Sequence, residues 1–208
     1  MGVLRIHRLV FLICTVLLIE PTIFSVFTTE ANAESRSVRE YRIKAAFLYN
    51  FARFTEWPAD KFRDENAPVI LCVMGVDPFG SVLENTVISK KIKGRSIIVK
   101  RTVTMDNLRA CHVLFVSSSE WNNLPEIVES LAGAAVLTTG DMDRFAKRGG
   151  IIKLTKKGNK IRFEINPKAA ERAGVKLSSY LLSLATIITE DNHNNRRQLI
   201  DAPIKGDN

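Results

Sequence analysis

Val69-Ile70-Leu71-Cys72-Val73-Met74-Gly75 carries no charge, and Asp77-Pro78 follows it almost at once. A strand with one wet face alternates polar and apolar residues, so an unbroken apolar run of this length predicts a strand buried on both faces. Asp77-Pro78 then opens a helix expected near Phe79 to Asn85. The pattern repeats outward. Ser96 to Thr102 reads as a second strand, after the basic stretch Lys90-Lys91-Ile92-Lys93-Gly94-Arg95. Cys111 to Ser117 is a third, backed by a helix from Glu120 to Leu131, and Ala135 to Thr139 is a fourth, with a short helix from Asp141 to Lys147. Ile151 to Thr155 and Lys160 to Asn166 flank the turn residues Lys157-Gly158-Asn159, so they pair as an antiparallel hairpin. Strands alternating with helices give an α/β domain: a mostly parallel sheet of about six strands, helices on both faces and an edge hairpin.

The flanks complete the domain. From Val38 to Phe54, Tyr41, Ala45, Leu48 and Ala52 recur at helical spacing, with Phe47, Phe51 and Phe54 as a second apolar row. Trp57-Pro58 ends that helix, because a proline disfavours helix in the residue before it. Asn166-Pro167 has the form of a helix start, a capping side chain followed by proline at the first helical position, and Gly174 ends it. A last amphipathic helix is expected from Ser178 to Thr189. The polar stretch 190–208, with Asn192-His193-Asn194-Asn195, is expected to be disordered.

Residues 1–33 read as a secretory signal. Arg5 and Arg8 precede an apolar run from Leu9 to Ile19, and Ala31-Asn32-Ala33 offers a cleavage site after Ala33. The run falls short of the roughly 20 residues that span a bilayer, and Glu20 and Pro21 interrupt it. An uncleaved anchor is the rival reading. The expected organisation is therefore a signal at 1–33, one domain at 34–189 and the tail at 190–208, working in the periplasm. The chain carries a formal net charge of +8. The leader holds as many bases (Arg5, Arg8) as acids (Glu20, Glu30), so the exported part keeps that charge. Export takes nucleic acid out of reach, leaving an anionic membrane surface, an acidic protein, or solubility as its meaning.

Cleavage also removes Cys14 and leaves Cys72 and Cys111. An even pair in an oxidising compartment points to a disulfide, two buried free thiols being the alternative. Other chemistry is sparse. Gly75-Val76-Asp77-Pro78-Phe79-Gly80 sits at a strand-to-helix turn but lacks the glycine spacing and terminal lysine of phosphate-binding loops. His112 neighbours Cys111 on a strand, so the two side chains point to opposite faces and share no site. Ser117-Ser118-Ser119-Glu120 has the form of a capping box rather than of a nucleophile. Gly140-Asp141 reads as the end of a strand and the cap of the next helix. Both turns lie on the sheet edge where open α/β folds bind ligands. On the strand Lys160 to Asn166, alternation sends Ile161, Phe163 and Ile165 inward and Arg162, Glu164 and Asn166 outward. Glu164 and Asn166, with Lys176, Ser178 and Ser179 downstream, are the candidate partner or ligand surface. A solvated strand face and a helix cap is the plainer reading. No cofactor or metal is implied.

Several segments resemble the YfiR family. They are Lys44-Ala-Ala-Phe-Leu-Tyr-Asn-Phe-Ala-Arg-Phe-Thr-Glu-Trp-Pro58, Cys72-Val-Met-Gly-Val-Asp-Pro-Phe-Gly80, Cys111-His-Val-Leu-Phe-Val-Ser-Ser-Ser-Glu120 and Val136-Leu-Thr-Thr-Gly-Asp141. Phe145-Ala-Lys-Arg-Gly-Gly150, Phe163-Glu-Ile-Asn166 and Ser178-Ser-Tyr-Leu-Leu182 continue the likeness in order. The resemblance implies a non-enzymatic periplasmic regulator. Its relatives bind and inhibit the periplasmic domain of an inner-membrane diguanylate cyclase, and an OmpA-like outer-membrane lipoprotein sequesters them. Cyclic-di-GMP output and biofilm formation follow. Cys72 and Cys111 match the family's disulfide positions, and the second cysteine pair of some members is missing here. Dimers are common in the family, so a homodimer is among the implied assemblies. The contrasting expectation is a periplasmic small-ligand binder, with a pocket near Glu164 and Ser178-Ser179, feeding a different membrane sensor.

Overall fold

A computed structural model describes residues 20–101 and 104–188, with side chains from residue 37 onward. Of the expected signal at 1–33, residues 1–19 lie outside the described residues, as does the expected tail at 190–208. The chain divides into two units, Met1–Tyr41 and Arg42–Asn208.

The first unit contributes the start of helix α1 (Glu20–Arg53). That helix begins well before the expected Val38. No glycine or proline stands between Pro21 and Pro58, so nothing in the chain interrupts the helical hydrogen bonds over that stretch. No helix among the described residues is long and apolar enough to cross a membrane.

In the second unit the apolar run becomes β2 (Val69–Met74), after the two-residue strand β1 (Thr55–Glu56). Next come α2 (Val82–Val87), β3 (Ile97–Lys100), β4 (Val113–Val116), α3 (Leu124–Ser130) and β5 (Leu137–Gly140). The hairpin β6 (Ile152–Lys157) and β7 (Lys160–Ile165) follows, then α4 (Pro167–Ala173), β8 (Lys176–Leu177), α5 (Ser179–Ser183) and β9 (Thr186–Ile187). The main sheet has seven strands in the order β3-β2-β4-β5-β6-β7-β9. All neighbours are parallel except β6 and β7. Both faces are covered, as expected of continuous apolar strands. Cys72, Met74, Leu114 and Val116 join Leu124 and Ile127 of α3 in one core layer. On β4 the alternate residue Phe115 meets Phe79 edge to face, ring centres 4.8 Å apart. Helix α1 lies against β7, where Phe47 and Phe51 meet Phe163 at 5.7 and 5.1 Å.

Four local expectations are corrected. Helix α2 begins at Val82 rather than near Phe79, because Asp77 Oδ1 accepts the Phe79 N–H (2.8 Å) and Gly80 sits at φ 52°, outside helical space. The expected helix from Asp141 to Lys147 shrinks to a 3-10 turn at Ala146–Arg148, with Arg144 at φ 53° before it and Gly149 at φ 99° after it. The Ser117–Glu120 segment is no capping box: Ser117 makes no side-chain cap, and a 3-10 turn spans Ser118–Glu120. The last helix stops at Ser183, since the β-branched Thr186-Ile187 adds β9 alongside β7 instead. The Asn166-Pro167 start holds as read. Asn166 Oδ1 accepts the Ala169 N–H at 3.0 Å, and Gly174 closes α4 at φ 80°.

Candidate interaction surface

The chain leaves β2, forms β3 on one side, and returns to form β4 on the other. The strand order therefore reverses between β2 and β4, the position where open α/β sheets bind ligands beyond the strand ends. Here the protein fills that position itself. Ser119 Oγ accepts the Val76 N–H at 3.0 Å. Gly75 is at φ 84°, and a Cβ there would fall 2.3 Å from Ser119 Oγ and 2.9 Å from Glu120 Cγ. Glu120 in turn accepts from Asn123 Nδ2 (2.9 Å). Beside this seam Arg101 gathers Asp77 (2.6 Å) and Glu84, and its hydrogen bond holds the Glu84 carboxyl below its usual range. Asp141, expected to cap a helix, forms a largely buried ion pair with Lys44 of α1 (2.6 Å).

At the opposite end of the strands, His112 is nearly buried between aromatic rings. Its imidazole stacks on Phe62 with centres 4.4 Å apart and meets Trp57 edge-on at 5.7 Å. The Ile70 N–H donates to His112 Nδ1 (3.0 Å), so the neutral ring carries its proton on Nε2. Burial first, then the charges of Lys61 and Arg95, push its pKa down to about 4. Lys61 Nζ donates to the carbonyls of Arg109 and Ala134, both at 2.7 Å, and burial lowers its pKa to about 8. Cys72 and Cys111 are joined in a disulfide with Cα atoms 5.9 Å apart, a staple from β2 to the residue before His112. Neither sulfur is left as a nucleophile, and the histidine is a structural wedge.

The five candidate surface residues are spread over the fold. Asn166 is 0% exposed: one end of its amide caps α4 and the other donates to the Ala146 carbonyl (2.9 Å), so it belongs to the interior and not to a surface. Alternation missed this because the chain leaves the strand at Ile165. Glu164 is half-buried on β7, with Lys153 and Thr186 as register neighbours. Lys176 lies on a two-stranded antiparallel ribbon, opposite Glu56. Ser178 caps α5 by accepting the Leu181 N–H (3.2 Å), and its own N–H donates to the Phe54 carbonyl (2.9 Å). Ser179 is exposed.

What sequence reading missed lies just beyond. Tyr180, Leu184 and Ile187 are 57%, 58% and 51% exposed, three large apolar side chains within eight residues. The Ser178 anchor fixes them: it ties α5 to the end of α1, and Tyr180 packs on Phe54 with ring centres 5.2 Å apart. Lys176 and Ser179, close by in sequence, are polar and exposed. A groove of about 490 Å³, lined in part by Pro167, Glu171, Val175, Lys176 and Leu182, opens alongside. An apolar centre with a polar rim is the composition of a protein-binding patch. The expected amphipathic helix from Ser178 to Thr189 contains Tyr180, Leu184 and Ile187, but a sequence pattern alone does not say which of its apolar residues stay exposed.

The sequence model of a family described as YfiR/HmsC-like matches residues 41–186. No curated protein matches the chain. Among solved structures, a conserved domain protein from Vibrio cholerae is 13% identical at a TM-score of 0.42, over 59% of this chain and 55% of that one. A Streptococcus pneumoniae "ABC domain" crystallised with L-Trp is 10% identical at 0.42, over 57% and 56%. The chain thus spans little more than half the length of either.

Proposed function

This chain belongs to the YfiR/HmsC-like family, and on that premise we propose that it is a periplasmic, non-enzymatic regulator that binds the sensor domain of an inner-membrane diguanylate cyclase and holds it inactive. The observation that carries this reading is the family match over 41–186. The Tyr180–Leu184–Ile187 face is the surface assigned to the contact. An inhibitor of this kind binds the cyclase's inactive state more tightly than its active one, and its effect is bounded by that difference in affinity. An OmpA-like lipoprotein competing for the same face would relieve the block. Deleting the gene should raise cellular cyclic-di-GMP, and the purified protein should bind the isolated sensor domain. Unchanged cyclic-di-GMP in the deletion strain would refute the cyclase as target.

A second reading, a small-ligand binder, is favoured by the groove beside α4 and β8. A thermal-shift screen separates the two, since a ligand at 100 times its Kd adds about 2.7 kcal/mol. No shift with any small solute removes it.

A further inference from the structure

The basic stretch after α2 folds into a cluster that the proposed function does not use. Lys90 Nζ lies 4.5 Å from the centre of the Tyr49 ring, and the Arg53 guanidinium approaches the same ring at 5.7 Å. Tyr49 Oη donates to the Lys91 carbonyl (3.4 Å), which fixes the turn against α1. The Ile92–Arg95 bridge then projects Lys93, at φ 50° beside Gly94. In the same turn as Lys90, Ile88 is 82% exposed, more than any other large apolar residue described.

Gathering four cations costs repulsion that the fold offsets only weakly. An exposed cation–π contact is worth roughly 0.5–1 kcal/mol. The ion pair from Lys93 to Glu56 is 4.0 Å long and exposed on both sides, so water screens it. A protruding isoleucine among these cations does nothing for solubility. Three of the four cations are lysines, which protein interfaces deplete, whereas a bilayer needs only positive charge near its phosphates and an apolar side chain to enter between headgroups. We propose that Lys90, Lys91, Lys93 and Arg53, with Ile88 at their edge, form a docking surface for an anionic phospholipid bilayer. Arg53 also approaches the Phe54 ring at 5.6 Å, the ring on which Tyr180 packs, so the two surfaces adjoin there; Lys91 and Lys93 lie outside that contact, and substituting them separates this proposal from the cyclase reading.

The test is co-sedimentation of the purified protein with phosphatidylcholine vesicles, with and without phosphatidylglycerol, over a range of salt. The protein should sediment only with the anionic vesicles and release as salt rises, because exposed charges are screened beyond about 10 Å at 0.1 M salt. The exposed-site variant Lys91→Glu/Lys93→Glu should bind at least roughly tenfold more weakly. Ile88→Ser should weaken binding several-fold and leave the salt dependence unchanged. Salt release of the unsubstituted protein is a readout that no folding defect can mimic. Equal sedimentation with neutral vesicles, or a charge-reversal variant that binds like the parent, overturns the proposal. So does retention on polyglutamate with no vesicle binding, which would assign the turn to an acidic protein.

Discussion

Strands β4 and β9 belong to one sheet and have opposite fates. Every residue of β4, Val113 to Val116, is 0% exposed, while Thr186 and Ile187 of β9 are both exposed. The centre is sealed above, below and at both strand ends: by the disulfide and the His112 stack where the strands begin, and by Ser119 and Glu120 where they end. A region with no free surface serves only to hold the fold, so recognition is left to the rim. Substitutions near β4 should therefore cost stability, and substitutions near β9 should cost binding alone.

The largest effect expected is at Phe115, which is fully buried against Phe79. Phe115→Ala should lower unfolding stability by about 4 kcal/mol, through lost burial and the cavity left behind. Denaturant titration checks this; a loss below about 1 kcal/mol would mean that β4 is not the sealed centre. Somewhat smaller is the staple beside it. Cys72 and Cys111 are 39 residues apart in sequence, and closing such a loop stabilises by about 4 kcal/mol at most in the chain-entropy model, with measured values generally lower. Cys72→Ala/Cys111→Ala should lower the denaturation midpoint while leaving partner binding of the folded fraction unchanged. Loss of binding at full folding would move the recognition surface toward the centre.

A third, smaller effect reads the same end of β4 by pH. The folded-state pKa of His112, about 4, lies below the unfolded imidazole's roughly 6.5, so the unfolded chain takes up a proton first. Stability is therefore fully present above pH about 6.5 and declines as the pH falls toward 4, by about 2–3 kcal/mol. Glu84 and Asp143 are held below their usual range by Arg101 and Lys153, and their contributions are lost only below about pH 4.5, at the foot of the His112 decline. His112→Asn, whose Oδ1 can accept the Ile70 N–H, should flatten the decline between 6.5 and 4.5. An equally steep decline in that variant would place the titrating group elsewhere.

The contrast between centre and rim also marks what the sequence could convey. Val69–Met74 and Val113–Val116 announce themselves because burial on both faces demands an unbroken apolar run, and that requirement is local. Asn166-Pro167 was equally legible, since a cap acts within its own turn. Reading failed where a distant residue won. Asp141 pairs with Lys44, 97 positions away, and Ser119 accepts the Val76 N–H while Ser117, the expected cap, caps nothing. It failed again at the rim. Thr186-Ile187 follows a helical stripe in sequence, and only the open edge of β7 turns it into a strand and its neighbours into surface.

The smallest change in stability should accompany the largest change in recognition. Tyr180 and Ile187 are more than half exposed, so Tyr180→Ala and Ile187→Ser should each shift unfolding stability by no more than about 0.5 kcal/mol. The Tyr180 ring rests on Phe54; its removal frees one face of that ring, and Phe54 is itself only half-buried. Aromatic anchors at the centre of an interface cost more than 1 kcal/mol when truncated, and often more than 2. Tyr180→Ala should therefore weaken binding to the proposed partner, a cyclase sensor domain, by roughly tenfold or more, and Ile187→Ser by less, as measured by calorimetry on the pair. Lys91→Glu/Lys93→Glu, on the separate basic turn, should leave that affinity within about twofold. If Tyr180→Ala binds like the parent and the basic-turn variant does not, the rim of β9 is only a solvated edge, and recognition belongs to the cations around Tyr49.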